Sequence, residues 1–340
     1  MSANLRKQPQ GLASAAEVAR LAGVSRSAVS RTFTDGASVS AKTREKVLAA
    51  AKELNYHVNH LARGISKAES RPVCLLASNM TKPYHGLLLD AITRELQAAG
   101  RMAMVINVTA DPESAQAALE QALSYRASAS VVMSGTPPEA MVSTCIDAGQ
   151  RVILINRSGG HADADHIRID YQAAMDDAVF MLKRAGCERL ALAGSAKGTP
   201  SLMERERLFL EAAAKQGYAP RTFKAPNSNY DDGAQAARAL LAGRDRPDGV
   251  FCLTDLMACG LIDSARLDFG LKVPTDLNVI GFDNIPQAAW AGYGLTTFAQ
   301  PYEEIARTVV RIVADETPAQ VHSLPTAAQW RQSVLFGPAD

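Results

Sequence analysis

From residue 72 onward, short apolar runs alternate with amphipathic stretches of helical period, and no other feature restricts the fold as tightly. The runs are "VCLLAS" at 73–78, "MAMVIN" at 102–107, "ASVVMS" at 129–134, "RVILIN" at 151–156, "HIRI" at 166–169, "RLALAG" at 189–194, "GVFCLT" at 249–254 and "NVIGF" at 278–282. Helices are predicted over 84–98, after Asp111-Pro112, and over 171–185, 201–216, 232–242, 255–266 and 302–314. Strand–helix alternation of this kind argues for doubly wound parallel sheets. The units are too many for one sheet, so the simplest division of 72–340 is two similar lobes with a cleft between them. Ligands of such sheets sit at the carboxyl ends of the strands.

The first 71 residues have a different texture. Residues 1–13 are polar and aperiodic, a flexible tail. "SAAE" at 14–17 reads as a capping box, Ser14 capping the helix and Glu17 reaching back to the cap amide. Val18, Leu21 and Ala22 give that helix its inward face, and Gly23 ends it. Ser25 can cap a second helix from Arg26 to about Thr32, with Ala28, Val29 and Phe33 turned inward. Ser40 can cap a third, in which Val47, Ala50, Ala51 and Leu54 recur at helical spacing. Three short helices over 14–58, with a Gly turn between the first two, form a helix-turn-helix pattern.

Charge says what such a head meets. Residues 1–71 hold twelve Lys and Arg against five Asp and Glu, a balance of +7, and the whole chain is +1, which leaves −6 for the rest. A basic head on an acidic body points to a polyanion as partner of the head alone. In "AGVSRSAVSR" (22–31), Arg26, Ser27 and Arg31 face outward with no carboxylate between Glu17 and Asp35 to pair with. A guanidinium fork suits the O6 and N7 of guanine, and a hydroxyl can donate or accept at several bases. Ser14, Ser25, Thr34, Ser40 and Thr43 stand at helix starts, where hydroxyls and free amides suit phosphate oxygens. A three-helix subdomain with a solvated basic face is the competing reading.

Five linked motifs go further. V-A-x-x-A-G-V-S, A-V-S-R, V-S-x-x-T-R-x-K-V, L-N-Y and N-x-x-A-R occur in that order between Val18 and Arg63. This stretch resembles the DNA-binding domain of LacI/GalR-type regulators. The resemblance implies that Arg26, Ser27 and Arg31 touch bases. It also implies that 59–71 is a hinge and linker, in which Asn59, Ala62, Arg63 and Ile65 enter the minor groove, Ile65 as an apolar wedge. A first-helix base contact of the family falls near Ala16, which has no polar group to offer.

The body continues the resemblance in "MERERLFLEAA", "CLTDLMACGLIDSARLDFGLKVPTDL", "NVIGFDNIPQAAW…LTTFAQP" and "LPTAAQWRQSV". It implies a periplasmic-binding-protein-like effector and dimerisation domain over 72–340, with Tyr84, His85, Asn156, Arg205, Thr254 and Asp283 binding the effector. Arg205 is preferred to Arg207 by counting back from Gly217. Arg205 in an exposed Glu–Arg ladder, Asp283 as a cap for a helix at Ile285, and Tyr84 as plain packing are the alternatives. Lys197, Arg205 and Arg157 together would favour an anionic ligand such as a sugar acid or sugar phosphate.

Catalytic chemistry has little to stand on. "HADADH" at 161–166 lacks zinc-ligand spacing and reads as a polar loop, and "GSAKGTP" lacks that of a P-loop. No nucleophile elbow, H-E-x-x-H or paired catalytic carboxylates stand out. The five cysteines form no C-x-x-C pair, the apolar runs are too short to span a membrane, and the start lacks a signal-peptide core. The expectation is a cytoplasmic homodimeric repressor, not an enzyme, with no cofactor or metal. It would bind a pseudo-palindromic double-stranded operator and answer to a sugar or sugar acid. A solute-binding protein and an enzyme with a doubly wound body are the rivals.

Overall fold

A computed structural model describes residues 13–34, 36–57, 71–109, 112–133, 139–157, 161–315 and 317–335. The chain divides into two compact units, Met1–Ser70 and Arg71–Asp340. The tail 1–12 and the predicted hinge residues Asn59, Ala62, Arg63 and Ile65 lie outside the described residues.

The first unit holds α1 (Ala15–Ala22), α2 (Arg26–Thr32) and α3 (Ala41–Glu53). Ser14 and Glu17 close the capping box, the Ser14 backbone N–H donating to Glu17 Oε2 at 2.7 Å and the Glu17 N–H to Ser14 Oγ at 3.3 Å. Gly23 ends α1 at φ +64°, a left-handed position that a side chain would strain. Ser25 and Ser40 cap α2 and α3 by accepting from Ala28 and Thr43. The core is Val18, Ala19, Ala22, Val29, Val47, Ala50 and Ala51, with Phe33, Leu54 and Tyr56 packed on it. Leu21 departs from expectation and is 46% exposed. The helix turns about 100° per residue, so once Val18 and Ala22 point inward Ala19 shares their stripe and Leu21 does not.

The second unit contains β1 (Val73–Ala77), α4 (Pro83–Ala98), β2 (Ala103–Asn107), α5 (Pro112–Ser124), β3 (Ala129–Val132), α6 (Glu139–Asp147), β4 (Arg151–Ile155) and β5 (Asp165–Asp170). There follow α7 (Gln172–Arg184), β6 (Leu190–Ser195), α8 (Pro200–Lys215), β7 (Arg221–Ala225), α9 (Tyr230–Leu241), β8 (Gly249–Cys252), α10 (Asp255–Phe269) and β9 (Asn278–Ile280). A 3₁₀ turn (Pro286–Ala289), β10 (Thr297–Ala299), α11 (Tyr302–Ala314), β11 (Val321–Pro325) and β12 (Ala327–Gln329) complete it.

Two sheets carry the lobes. One is six-stranded, in the order β11-β5-β4-β3-β1-β2, the other four-stranded, β7-β6-β8-β9, and every ladder in both is parallel. A third, two-stranded antiparallel ribbon joins β10 to β12. Strands β1, β3 and β8 are buried along their whole length, as expected where helices cover both faces. The chain does not finish one lobe before starting the other. After β10 it returns to the first, α11 packing against α4 and β11 pairing with β5. Both lobes therefore depend on the last forty residues.

The second lobe includes a very close helix pair, α9 against α10. A Cβ on Gly233 would collide with the Met257 backbone and one on Gly260 with the Tyr230 carbonyl. Among the described residues no helix is long and apolar enough to cross a membrane.

Candidate functional site

The carboxyl ends of the strands in both sheets open onto one cavity holding roughly 680 Å³ of non-atom space, part of it open solvent. Its walls come from connections that follow strands: Asn79 to His85 after β1, Asn156 after β4, Ser228 after β7, Thr254 after β8, Asp283 after β9 and Gln300 after β10. The structure thus brings Tyr84, His85, Asn156, Arg205, Thr254 and Asp283 to one cleft.

Arg205 and Asp283 form its floor, 3% and 5% exposed. Arg205 projects from α8 on the stripe of Leu202, Leu208 and Phe209, while Arg207, on the outer face, forms the exposed ladder with Glu204 and Glu211 at 2.7 Å each. Arg205 Nη1 donates to the Leu253 carbonyl at 2.8 Å and to Asp283 Oδ1 at 3.4 Å, and Nε donates to the Ser201 carbonyl at 3.3 Å. Its guanidinium carbon stands 4.3 Å from the Phe282 ring centroid and 5.4 Å from that of Tyr171. Aromatic faces on a desolvated cation are attractive and leave its plane fixed.

Asp283 Oδ1 also accepts from Gln300 Nε2 at 2.9 Å. Its backbone sits at φ +123°, followed by Asn284 at +54°. Such a conformation costs about 1–3 kcal/mol and survives where the surroundings enforce it. Here Asp283 N–H is held by the Phe298 carbonyl at 3.0 Å, and Arg331 Nη2 grips Asn284 Oδ1 at 2.7 Å. Burial pushes the Asp283 carboxyl above its ordinary value, and the Arg205 charge opposes the rise. The short helix after it starts at Pro286 with no side-chain cap, so Asp283 does not cap it.

On the first-lobe wall, Asn156, left-handed at φ +55°, donates from Nδ2 to the Tyr84 hydroxyl at 2.9 Å. Burial raises the Tyr84 phenol above its ordinary value. His85 Nδ1 donates to the Ser78 carbonyl, and burial lowers the imidazole's affinity for a second proton. Thr254 caps α10, accepting from Met257 N at 3.3 Å and donating to the Ser228 carbonyl at 3.1 Å, so its hydroxyl is already committed. Two buried acceptors in the cleft have no partner, Asn156 Oδ1 and Gln300 Oε1.

Sequence reasoning missed Lys82, Ser228 and Gln300. Lys82 Nζ reaches across the cleft to Ser228 Oγ at 3.3 Å. Gln300 had a signal, since it precedes Pro301 in the "LTTFAQP" stretch. Lys197 is absent from the cleft wall, and Arg157 lines a neighbouring depression instead. Beneath the cleft, Asp255 is wholly buried, accepting from Thr297 Oγ1 at 2.6 Å and Ile285 N at 2.9 Å, and its carboxyl is pushed up to about 7 by burial and by the Asp283 charge.

In "HADADH", Asp165 takes a two-pronged ion pair from Arg151, 2.7 and 3.1 Å, and ties down Gln320 N at 3.0 Å. Among the described residues no group of three His, Cys, Asp or Glu is placed to hold a metal ion.

In the first unit, Arg26, Ser27 and Arg31 are exposed on α2, with Ser27 and Arg31 one turn apart. Ser25 and Ser27 share a hydrogen bond at 2.8 Å, and Ser40 donates to Thr43 at 2.8 Å. Thr34 donates to the Ser30 carbonyl at 2.8 Å. Ser14 keeps its hydroxyl on Glu17 Oε2 at 2.8 Å, which places a carboxylate at that helix start.

Residues 15–59 match the bacterial regulatory proteins of the lacI family, and residues 179–334 match the periplasmic binding protein-like domain. By both matches the chain is of LacI type, a lacI-family head joined to a periplasmic-binding-protein-like body. Its relatives include the HTH-type transcriptional repressor PurR of Erwinia tasmaniensis, 28% identical over 96% of this chain and 98% of that one. The repressor CytR of Escherichia coli is 26% identical over 92% of each chain, and catabolite control protein A of Priestia megaterium 26% over 93% and 98%. The fold matches that of the Lac repressor dimer bound to operator and the anti-inducer ONPF, with a TM-score of 0.85 at 22% identity over 95% of this chain and 99% of that one. The chain thus joins a lacI-type regulatory DNA-binding head to a periplasmic-binding-protein-like body, and the relatives PurR and CytR are transcriptional repressors, not enzymes.

Proposed function

We propose that the cleft binds a polyhydroxylated metabolite, a sugar or sugar derivative, and that its occupancy sets operator affinity. The unpartnered acceptors Asn156 Oδ1 and Gln300 Oε1, beside the buried Arg205–Asp283 pair, carry this reading. An orphaned buried acceptor costs about 1–3 kcal/mol. A ligand hydroxyl can donate to each and accept from Arg205 or Lys82 in turn, which an apolar ligand cannot do. Solved regulators of like fold contain cellobiose, ribose and glucose, in keeping with this class.

Arg26, Ser27 and Arg31 would read base edges in the major groove. Ser25, Thr34, Ser40 and Thr43 would hold phosphates, with Ser14 contributing its helix start. Asn59, Ala62, Arg63 and Ile65 would enter the minor groove. Two copies of the head would occupy a pseudo-palindrome as a homodimer. The effector shifts DNA affinity by the difference in its affinity for the two body states, and by no more.

Calorimetry of the intact protein against neutral pentoses, hexoses, disaccharides and nucleosides tests the cleft. Saturable binding that Arg205→Lys weakens at least tenfold is the expected outcome, because an ammonium cannot serve Leu253, Ser201 and Asp283 at once. Binding that survives this change undiminished would put the ligand elsewhere.

A further inference from the structure

The cleft holds more positive charge than its own lining balances. Lys82 and Arg205 both face it, against one carboxylate among the described lining residues, Asp283. Asp283 touches Arg205 at 3.4 Å and feels the Lys82 charge more weakly, so one anion serves two cations. His85 does not change the count, since burial, and the Lys82 charge besides, lower its affinity for a second proton. Asp255 lies beneath the floor, tied to Thr297 and to the Ile285 N–H, and its carboxyl at about 7 is partly protonated at neutral pH. The Lys82 ammonium is half-buried and donates to the Ser228 hydroxyl at 3.3 Å. Ser228 is 5% exposed, and its oxygen accepts that bond, so its own O–H proton is still to be given. The ammonium likewise keeps two further N–H donors.

Three helices begin at the same cavity. Lys82 precedes α4, Thr199 precedes α8 and Thr254 precedes α10, all three residues line the cleft, and α4 and α8 have no side chain capping them. Helix N-termini carry partial positive charge and free amides, which suit an anion. Gln300, 5% exposed, leaves Oε1 without a partner in the cleft, an acceptor that calls for a donor from outside the chain. The group that completes this set donates through hydroxyls and carries negative charge. We infer that the effector is an acidic sugar derivative whose own carboxylate or phosphate is held by Lys82 and Ser228. An ammonium serves either oxyanion as a point charge. The inference deepens the proposal for the cleft and rests on it. The anionic preference expected from Lys197 and Arg157 is thereby moved to Lys82.

Calorimetry of the intact protein at constant ionic strength, on matched sets, tests this: glucose with gluconate and glucose 6-phosphate, and ribose with ribonate and ribose 5-phosphate. At least one acid is expected to bind ten times or more tighter than its neutral parent, and which acid gains tells carboxylate from phosphate. Lys82→Gln should abolish that margin while moving the neutral parent's affinity less than threefold. Lys82→Arg, which keeps the charge, should retain most of the margin, and Ser228→Ala should reduce it at least twofold. Thermal unfolding establishes that each variant folds, and Lys82→Met is the second neutral replacement should Gln not be tolerated. A neutral parent that binds as tightly as its acids, or a margin that survives loss of the Lys82 charge, overturns the inference and leaves the reading of the cleft standing. So does inorganic phosphate that binds alongside the neutral sugar without competition, because the anion is then not the effector's own. If nothing in the panel binds, charged or neutral, the reading of the cleft fails and the inference falls with it. Arg205→Lys marks the same boundary from the other side, since it should weaken acid and neutral parent alike and leave their ratio unchanged.

Discussion

Replacing Arg205 by Ala should destabilise the body far more than loss of one ion pair implies, and the loss should depend on pH. The guanidinium is 3% exposed and supplies three hydrogen bonds, to Leu253, Ser201 and Asp283, besides covering two aromatic faces. Removing one partner of a buried pair costs about 3–5 kcal/mol, because the other charge is stranded. At roughly 2–4 °C per kcal/mol, the unfolding midpoint should fall by about 6–20 °C. Asp283 decides the pH dependence. Its carboxyl is already raised by burial, so the native state keeps a proton that the unfolded chain has released, and this group's contribution falls as pH rises through that window. Without Arg205 the window widens upward. Each further unit adds about 1.4 kcal/mol to the penalty above it, and nothing below the ordinary carboxylate range. Denaturant unfolding of both proteins from pH 4.5 to 8.5 should therefore show a difference that grows with pH. The double variant Arg205→Met/Asp283→Asn should recover that pH-dependent part, since no charge is left behind. A difference under about 1 kcal/mol, or one constant across the range, would refute the idea that Asp283 depends on Arg205 for its charge.

Asp255, with its carboxyl pushed up to about 7, holds a proton in the native state that the unfolded chain loses near 4, so its contribution to stability falls between those values and levels off above. Asp255→Asn can still accept from Ile285 N–H and donate to Thr297 Oγ1; it should fold and flatten that part of the pH profile, and an unchanged slope in chemical denaturation would refute the assignment. Gly260→Ala should force α9 from α10 against the Tyr230 carbonyl, costing about 1–3 kcal/mol or more by thermal unfolding, and a neutral result would mean that the helices part easily. Arg31→Ala should cost about 1–3 kcal/mol of operator binding in a mobility-shift titration while effector binding stays as it was; loss of effector binding would contradict the division between head and body.

The parts of this fold that local chemistry dictates were legible in the sequence. The capping box at Ser14 and the strand–helix alternation both follow from neighbours a few residues apart, and helix ends differ from the expected ones by three residues at most. What was not legible depends on distant partners. β10 and β12 are three residues each and exist because they pair with one another. β11 alternates exposed and half-buried along an edge, and only its pairing with β5 makes it a strand. Sequence order places that segment after the second lobe, so its return to the first could not be read from pattern.

The cleft divides in the same way. Arg205 and Arg207 are indistinguishable by type in "ERER", yet helical spacing separates them: Leu202, Arg205, Leu208, Phe209 and Ala212 share the buried stripe of α8, whereas Glu204, Arg207 and Glu211 lie together on the outer face. A periodicity argument could have chosen between them without any family resemblance. Lys82 and Lys197 could not be told apart so. Both follow a strand by a few residues in a polar stretch, and which enters the cleft depends on how each connection turns. Lys82 directly precedes Pro83 at the first position of α4, and its amine meets Ser228, 146 residues away in sequence. Likewise the aromatic floor beneath Arg205 joins Tyr171 and Phe282 from segments far apart in sequence, their rings 5.5 Å apart. Strand ends fix where a ligand can sit; the turn each connection takes fixes which charges it meets. The first is written in a residue's neighbours and the second in the completed fold.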